Sequence, residues 1–232
     1  TRSPIWPGQF SSTLSMEWSV PVEHQLSRIL LREDREFQIR NHNTEIAPAI
    51  AIKDGWREYR WEQSSLDAVA GEEAVPQTFS YWGQVSTSTF KSWRDISESL
   101  LSEYEARAQL PDNFAEENPW LTDQRSNNER ITAAIRYVQD RIRYVADETG
   151  VGSHLPRTPE TIIARGWGDC KDKSLLLMAI LREIGIEAYV ALTDLNEGYA
   201  LTQKPPSPYV FDHAITVLIV DGKRYWIDPT NY

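Results

Sequence analysis

Cysteine is nearly absent from this chain: Cys170 is the only one in 232 residues. That excludes an internal disulfide and a zinc site built from several cysteines. The four histidines, His24, His42, His154 and His213, are too scattered for metal-ligand spacing, and no stretch resembles an EF-hand calcium loop. Neither a metal nor a cofactor is expected. Long apolar runs are missing as well. A membrane span needs roughly 18 to 20 apolar residues, and the densest stretch, Leu175 to Leu181, is only a core helix segment. Positive charge is scarce too. The net charge is −10, and Lys171 and Lys173 alternate with Asp169 and Asp172 without forming a patch. This argues against a nucleic-acid partner, which needs a basic footprint. The chain starts at Thr1 with no signal-peptide pattern, which reads as a processed or excised segment.

What remains is ordinary globular material, 41% hydrophobic and 25% charged. The length suits one large domain or two small ones. Up to about residue 88 the pattern reads as antiparallel β. Strand-like runs fall at 13–20, 35–40, 56–62 and 79–85, with turn signals at Asp54-Gly55 and Ala70-Gly71. From Ser92 the period changes. Residues 92–110 carry Trp93, Ile96, Leu100 and Leu101 at helical spacing, and Pro111 stops them. Residues 127–144 put Ile131, Ala134, Ile135, Val138 and Ile142 on one stripe. A short helix over 159–165 has Thr158 as its cap and Pro159 in its first turn. Asp169 or a neighbour caps a further helix running to about Ile184, with Gly185 as a left-handed stop. That helix is apolar nearly all round, so it is expected at the centre. Strands over 187–193, 213–220 and 224–228 follow, the last two joined by an Asp221-Gly222 hairpin signal. Residues 196–208, with three prolines, read as a rim loop. Trp18, Trp61 and Trp93 fall in core phase, so packing is their expected role. The whole reads as an α+β chain, with a β-rich N-terminal domain over 1–90 and a second domain over 91–232.

Chemistry concentrates at Cys170. It opens the apolar helix, where unpaired backbone N–H groups and the positive end of the dipole favour a thiolate. Its own N–H is a candidate oxyanion donor. Gly168 is expected to leave room for a substrate carbonyl beside the sulfur. His213 begins a strand, and Asp228 ends the one paired with it. A two-residue turn at Asp221-Gly222 sets Val220 opposite Lys223. Asp228 then becomes a same-face diagonal neighbour of His213, about 7–8 Å away and within reach of its side chain. Asp228 is so placed to accept a hydrogen bond from His213 and fix its tautomer. A Cys on a helix start with a His–Asp pair on a hairpin is what covalent thiol catalysis requires. Asn231 is a second candidate to orient the ring. Trp167 and Tyr144 are candidates for a second oxyanion donor, though packing suits both better. His154 reads as a loop residue, and Lys171, Asp172 and Lys173 as structural residues that hold neighbouring loops.

The run Gly168-Asp169-Cys170-Lys171-Asp172-Lys173-Ser174, with Gly185-Ile186-Glu187-Ala188, Asp212-His213-Ala214 and Trp226-Ile227-Asp228-Pro229-Thr230, resembles the transglutaminase-like superfamily. More narrowly, it is similar to the bacterial branch whose core follows an N-terminal domain of unknown function. Tyr59-Arg60-Trp61, residues 86–93 and residues 137–145 add to the likeness, which covers roughly 55–232. The resemblance implies a papain-like core with Cys170 as nucleophile, His213 as base and acid, and Asp228 as orienter. It implies acyl transfer or hydrolysis on an amide of a protein or peptide substrate, in the bacterial envelope, periplasmic or otherwise extracytoplasmic. The alternative is a non-catalytic binding or assembly module on the same fold, since fold alone does not name a function.

Overall fold

Alternation and turn chemistry build the first half of the chain, and helix caps the second. The structure, a computed structural model, describes residues 5–71, 75, 80–122, 126–147, 149–196 and 198–231. It divides into two units, one of residues 1–96 with 196–210, the other of residues 97–195 with 211–232.

The first unit holds six strands: β1 (Ser11–Ser15), β2 (Val22–Arg32), β3 (Gln38–His42), β4 (Ala49–Lys53), β5 (Trp56–Leu66) and β6 (Gln84–Ser88). They form two antiparallel three-stranded sheets, ordered β1-β6-β3 and β2-β5-β4. Met16, Ile29, Tyr59, Trp61 and Val85 close the core between them. The Asp54-Gly55 turn is a two-residue hairpin, with Lys53 paired to Trp56 and positive φ at both turn residues (52° and 75°). Two strands lie where sequence periodicity gives no signal. β2 carries Leu26 and Leu30 on its open face opposite Ile29, which breaks the period of two. β4 is exposed throughout. The strand expected over 13–20 ends at Ser15, and the run at 79–85 is realised as 84–88, its start at Phe79 lying outside the described residues. Trp61 is buried as expected, but Trp18 is 42% exposed, its Nε1 donating to Gln25 Oε1 at 2.9 Å. The segment expected as a rim loop joins this unit. Pro206 O accepts from Ser88 Oγ at 2.5 Å, and Ser207 Oγ accepts from Ser11 Oγ at 2.9 Å.

α1 (Trp93–Glu105) follows, crossing the boundary between the two divisions of the chain. The second unit is organised around one helix. Its elements are α2 (Phe114–Glu117), α3 (Asn127–Arg141), β7 (Arg143–Tyr144), α4 (Pro159–Arg165), β8 (Trp167–Gly168), α5 (Cys170–Glu183), β9 (Glu187–Thr193), β10 (His213–Val220) and β11 (Lys223–Ile227). A capping box between Ser126 and Glu129 starts α3, and the Thr158 side chain caps α4. Gly166 and Gly185 end α4 and α5 in the left-handed region, at φ of 67° and 78°. Every residue of α5 from Cys170 to Leu181 is buried, as its all-round apolar sequence requires. The sheet β11-β10-β9 is antiparallel, and β10 and β9 pack on α5. Residues 143–144, expected as the end of a helix, instead leave α3 and pair in parallel with Trp167–Gly168. No described helix is long and apolar enough to cross a membrane.

Candidate active site

Three local devices place Cys170. The left-handed Gly166 reverses the chain after α4. The short pair β7–β8 holds the strand leading in, with Val145 N–H bonding Gly168 O at 3.0 Å. Asp169 then caps α5, its Oδ1 accepting from the Lys171 and Asp172 amides at 3.0 and 3.1 Å. Those bonds satisfy two of the first-turn donors. Among the described residues, no acceptor meets the Cys170 N–H. The thiol is 3% exposed and sits on the helix's first residue.

His213 comes to it through a reciprocal link between α5 and β10. Ser174 Oγ donates to Ala214 O at 3.0 Å, and Thr216 Oγ1 donates to Ser174 O at 3.2 Å. Ser174 lies one turn beyond Cys170, and Ala214 adjoins His213, so these two bonds set the offset of thiol and imidazole. Both hydroxyls are fully buried and satisfied.

Asp228 arrives through the hairpin. Val220 pairs with Lys223 and Thr216 with Ile227, around a turn with φ of 50° at Asp221 and 72° at Gly222. The register is that implied by the two-residue turn. Asp228 Oδ2 meets His213 Nε2 at 3.0 Å, which leaves Nδ1 for the thiol side. Thr230 donates to Asp228 Oδ1 twice, from N at 2.9 Å and from Oγ1 at 2.6 Å. Asn231 Nδ2 donates to Oδ2 at 2.7 Å. Asn231 therefore holds the acid, not the ring.

The electrostatics follow from these contacts. The adjacent Cys170 side chain raises the His213 pKa most, burial opposes it, and the hydrogen bond and charge of Asp228 add to the rise. The ring is held up at about 9. Burial works against a charged Asp228, but the Thr230 and His213 hydrogen bonds outweigh it and hold the carboxyl below its usual range.

A second cluster underpins the start of the helix. Asp172, fully buried, accepts from Arg157 N and Nη1, each at 2.7 Å. Arg157 also binds Asp147, and Lys171 Nζ meets Asp169 Oδ2 at 2.9 Å. Burial, then repulsion from Asp172, pushes Asp169 up. The guanidinium and ammonium balance these two carboxylates. The expected part for Asp172, holding a neighbouring loop, is what its contacts to Arg157 describe, whereas Lys171 meets only the cap of its own helix. The expected part for Gly168 is not met. A Cβ there lies 2.6 Å from Asp172 Cβ, so the glycine makes room for this carboxylate and not for a substrate carbonyl. Trp167 packs against guanidinium groups, with Arg165 3.9 Å and Arg157 5.6 Å from its ring centroid. Tyr144 is 40% exposed.

Sequence reading did not single out Tyr104, Thr230, Gln139 or Arg157 for the site. Tyr104 is buried, and its hydroxyl donates to His154 O at 3.2 Å. Burial first, then negative charge at Cys170, Asp169 and Asp172, pushes that hydroxyl's pKa up. The only available signal was the Asp-Pro-Thr turn for Thr230. The other three act across long sequence separations. Among the described residues, no group of acidic, His or Cys side chains could hold a metal.

Comparison with known proteins bears on family and fold. The profile of the transglutaminase-like superfamily matches residues 117–227, and that of the domain of unknown function DUF3857 matches residues 1–70. No curated protein matches the chain. A provisionally assigned protease from Parabacteroides distasonis ATCC 8503 superposes with a TM-score of 0.73 at 16% identity, over 98% of this chain and 43% of its own. This chain thus spans less than half of that protein's length, and the likeness shows the shared fold. A provisionally assigned cysteine protease from Cytophaga hutchinsonii is 13% identical over 96% of this chain and 78% of its own, at a TM-score of 0.36. The periplasmic domain of TgpA from Pseudomonas aeruginosa is 12% identical over 92% of this chain and 72% of its own, also at 0.36. Residues 117–227 thus match a transglutaminase-like core, with a DUF3857 domain ahead of that core.

Proposed function

We propose that this chain is a cysteine acyl transferase or hydrolase with a papain-like core, acting on an amide of a protein or peptide outside the cytoplasm. One observation carries the reading: His213 lies between Cys170 and Asp228, hydrogen-bonded to the acid at 3.0 Å and held protonated up to about pH 9.

In the proposed reaction the Cys170 sulfur attacks the amide carbonyl carbon, and the carbonyl electron pair moves to oxygen. The Cys170 N–H, which has no other acceptor among the described residues, receives that oxyanion. Collapse re-forms the carbonyl and expels the amine, which takes the proton from the His213 imidazolium. A thioester on Cys170 remains. Water or a second amine then attacks, gives its proton to His213, and returns the sulfur as thiolate. Water makes the chain a peptidase or amidase, and an amine makes it a transglutaminase. Asp228, fixed by Thr230 and Asn231, keeps the ring in one tautomer throughout.

The test is incubation with a panel of unmodified peptides and a fluorescent primary amine, read by intact mass. The proposal expects a peptide acyl group on Cys170 and either amine-linked or cleaved peptide. Cys170→Ala should yield none of these. Products that persist without Cys170, or a Cys170 that never acylates across the panel, would contradict it and leave a binding module as the reading.

A further inference from the structure

The last turn of α3 makes contacts that the reaction above leaves without a purpose. Gln139 Nε2 donates to the Asn231 carbonyl, across 92 positions of sequence. The Asn231 side chain in turn donates at 2.7 Å to Asp228 Oδ2, the oxygen that meets His213. Asn231 is exposed. An exposed asparagine rotates freely unless something holds its backbone, and here Gln139 does so. On the same turn, the Ile142 carbonyl accepts from Lys173 Nζ at 2.6 Å. Lys173 is fully buried and lies one turn along the helix from Cys170. Burial disfavours its charge, and the carboxylates of Asp228 and Asp140 support it. One helix end is thus tied both to the helix that carries the thiol and to the turn that carries the acid.

We infer that Gln139 is a positioning residue which, acting through Asn231, keeps the Asp228 carboxylate aimed at His213. The inference rests on the reading of His213 and Asp228 as the catalytic pair. Gln139 touches neither the thiol nor the ring, so its influence should appear in the ring's titration. A purely structural part for Gln139 would show in thermal stability alone.

The experiment is titration of the His213 ring by NMR, assigned with His213→Ala, in the wild type, Gln139→Met and Asn231→Ala. Methionine keeps the length and helix propensity of glutamine but has no donor. Asn231→Ala keeps the carbonyl that Gln139 meets and removes the donor to Asp228, so an unmoved ring there overturns the relay even if the helix variant does not fold. The wild-type ring should titrate near 9, and both variants about one unit lower, a tenfold change on the scale of one hydrogen bond to a charged group. A wild-type ring near 9 with both variants unmoved would overturn the role of Gln139 and leave the pair standing. A wild-type ring near its ordinary value, about 6.5, would overturn the pair and this inference together.

Discussion

Asp228→Asn is expected to lower Cys170-dependent turnover of the peptide panel by about 10⁴-fold while the chain stays folded. The reason lies in which atoms face the changed group. Asp228 Oδ2 now accepts from His213 Nε2 and Asn231 Nδ2. An asparagine can keep its oxygen toward Thr230, whose N and Oγ1 both donate to Oδ1. Its NH₂ then confronts two donors. The ring answers by releasing the proton from Nε2 and carrying it on Nδ1, toward the thiol. That tautomer cannot accept the thiol proton, so the substitution removes the base without removing the residue. Circular dichroism and the thermal midpoint serve as the folding check. Full turnover in the variant would mean that Asp228 does not set the tautomer.

Asp172→Ala is expected to lower stability by about 3 kcal/mol or more, read as a fall in the urea midpoint. Asp172 is fully buried and takes two donors from Arg157, which is itself only partly exposed. Removing the carboxylate leaves the Arg157 backbone N–H and its guanidinium without that acceptor, and opens a gap beside Gly168. The reciprocal half of the α5 capping box goes as well. Arg157 keeps its contact with Asp147, which softens the loss. A variant as stable as the wild type would show that this cluster does not secure the helix start.

The positions of Cys170, His213 and Asp228 were legible because each is fixed by local chemistry. Asp169 caps a helix beside Cys170, and a two-residue turn sets the register that places Asp228 near His213. Helix ends at Thr158, Gly166 and Gly185 follow from residue type alone. What was not legible acts over distance. Nothing in the sequence around Gln139 or Arg157 announces a partner 92 or 15 residues away. The β2 strand escaped notice because it places apolar residues on both faces, which blurs a period of two. The role of Gly168 was misread because the residue it makes room for is its own near neighbour, Asp172, which turns back over it.

The central claim is that Cys170 and His213 form a thiolate–imidazolium pair, and the rate of Cys170 alkylation by iodoacetamide against pH tests it most directly. The profile should be taken for the wild type and for His213→Ala. The account predicts that the wild type still reacts quickly well below about pH 8.5, where a free thiol has largely lost its thiolate, and that His213→Ala loses this acid-side reactivity. A wild-type profile that follows a free thiol and does not change when His213 is removed would contradict the account at its base.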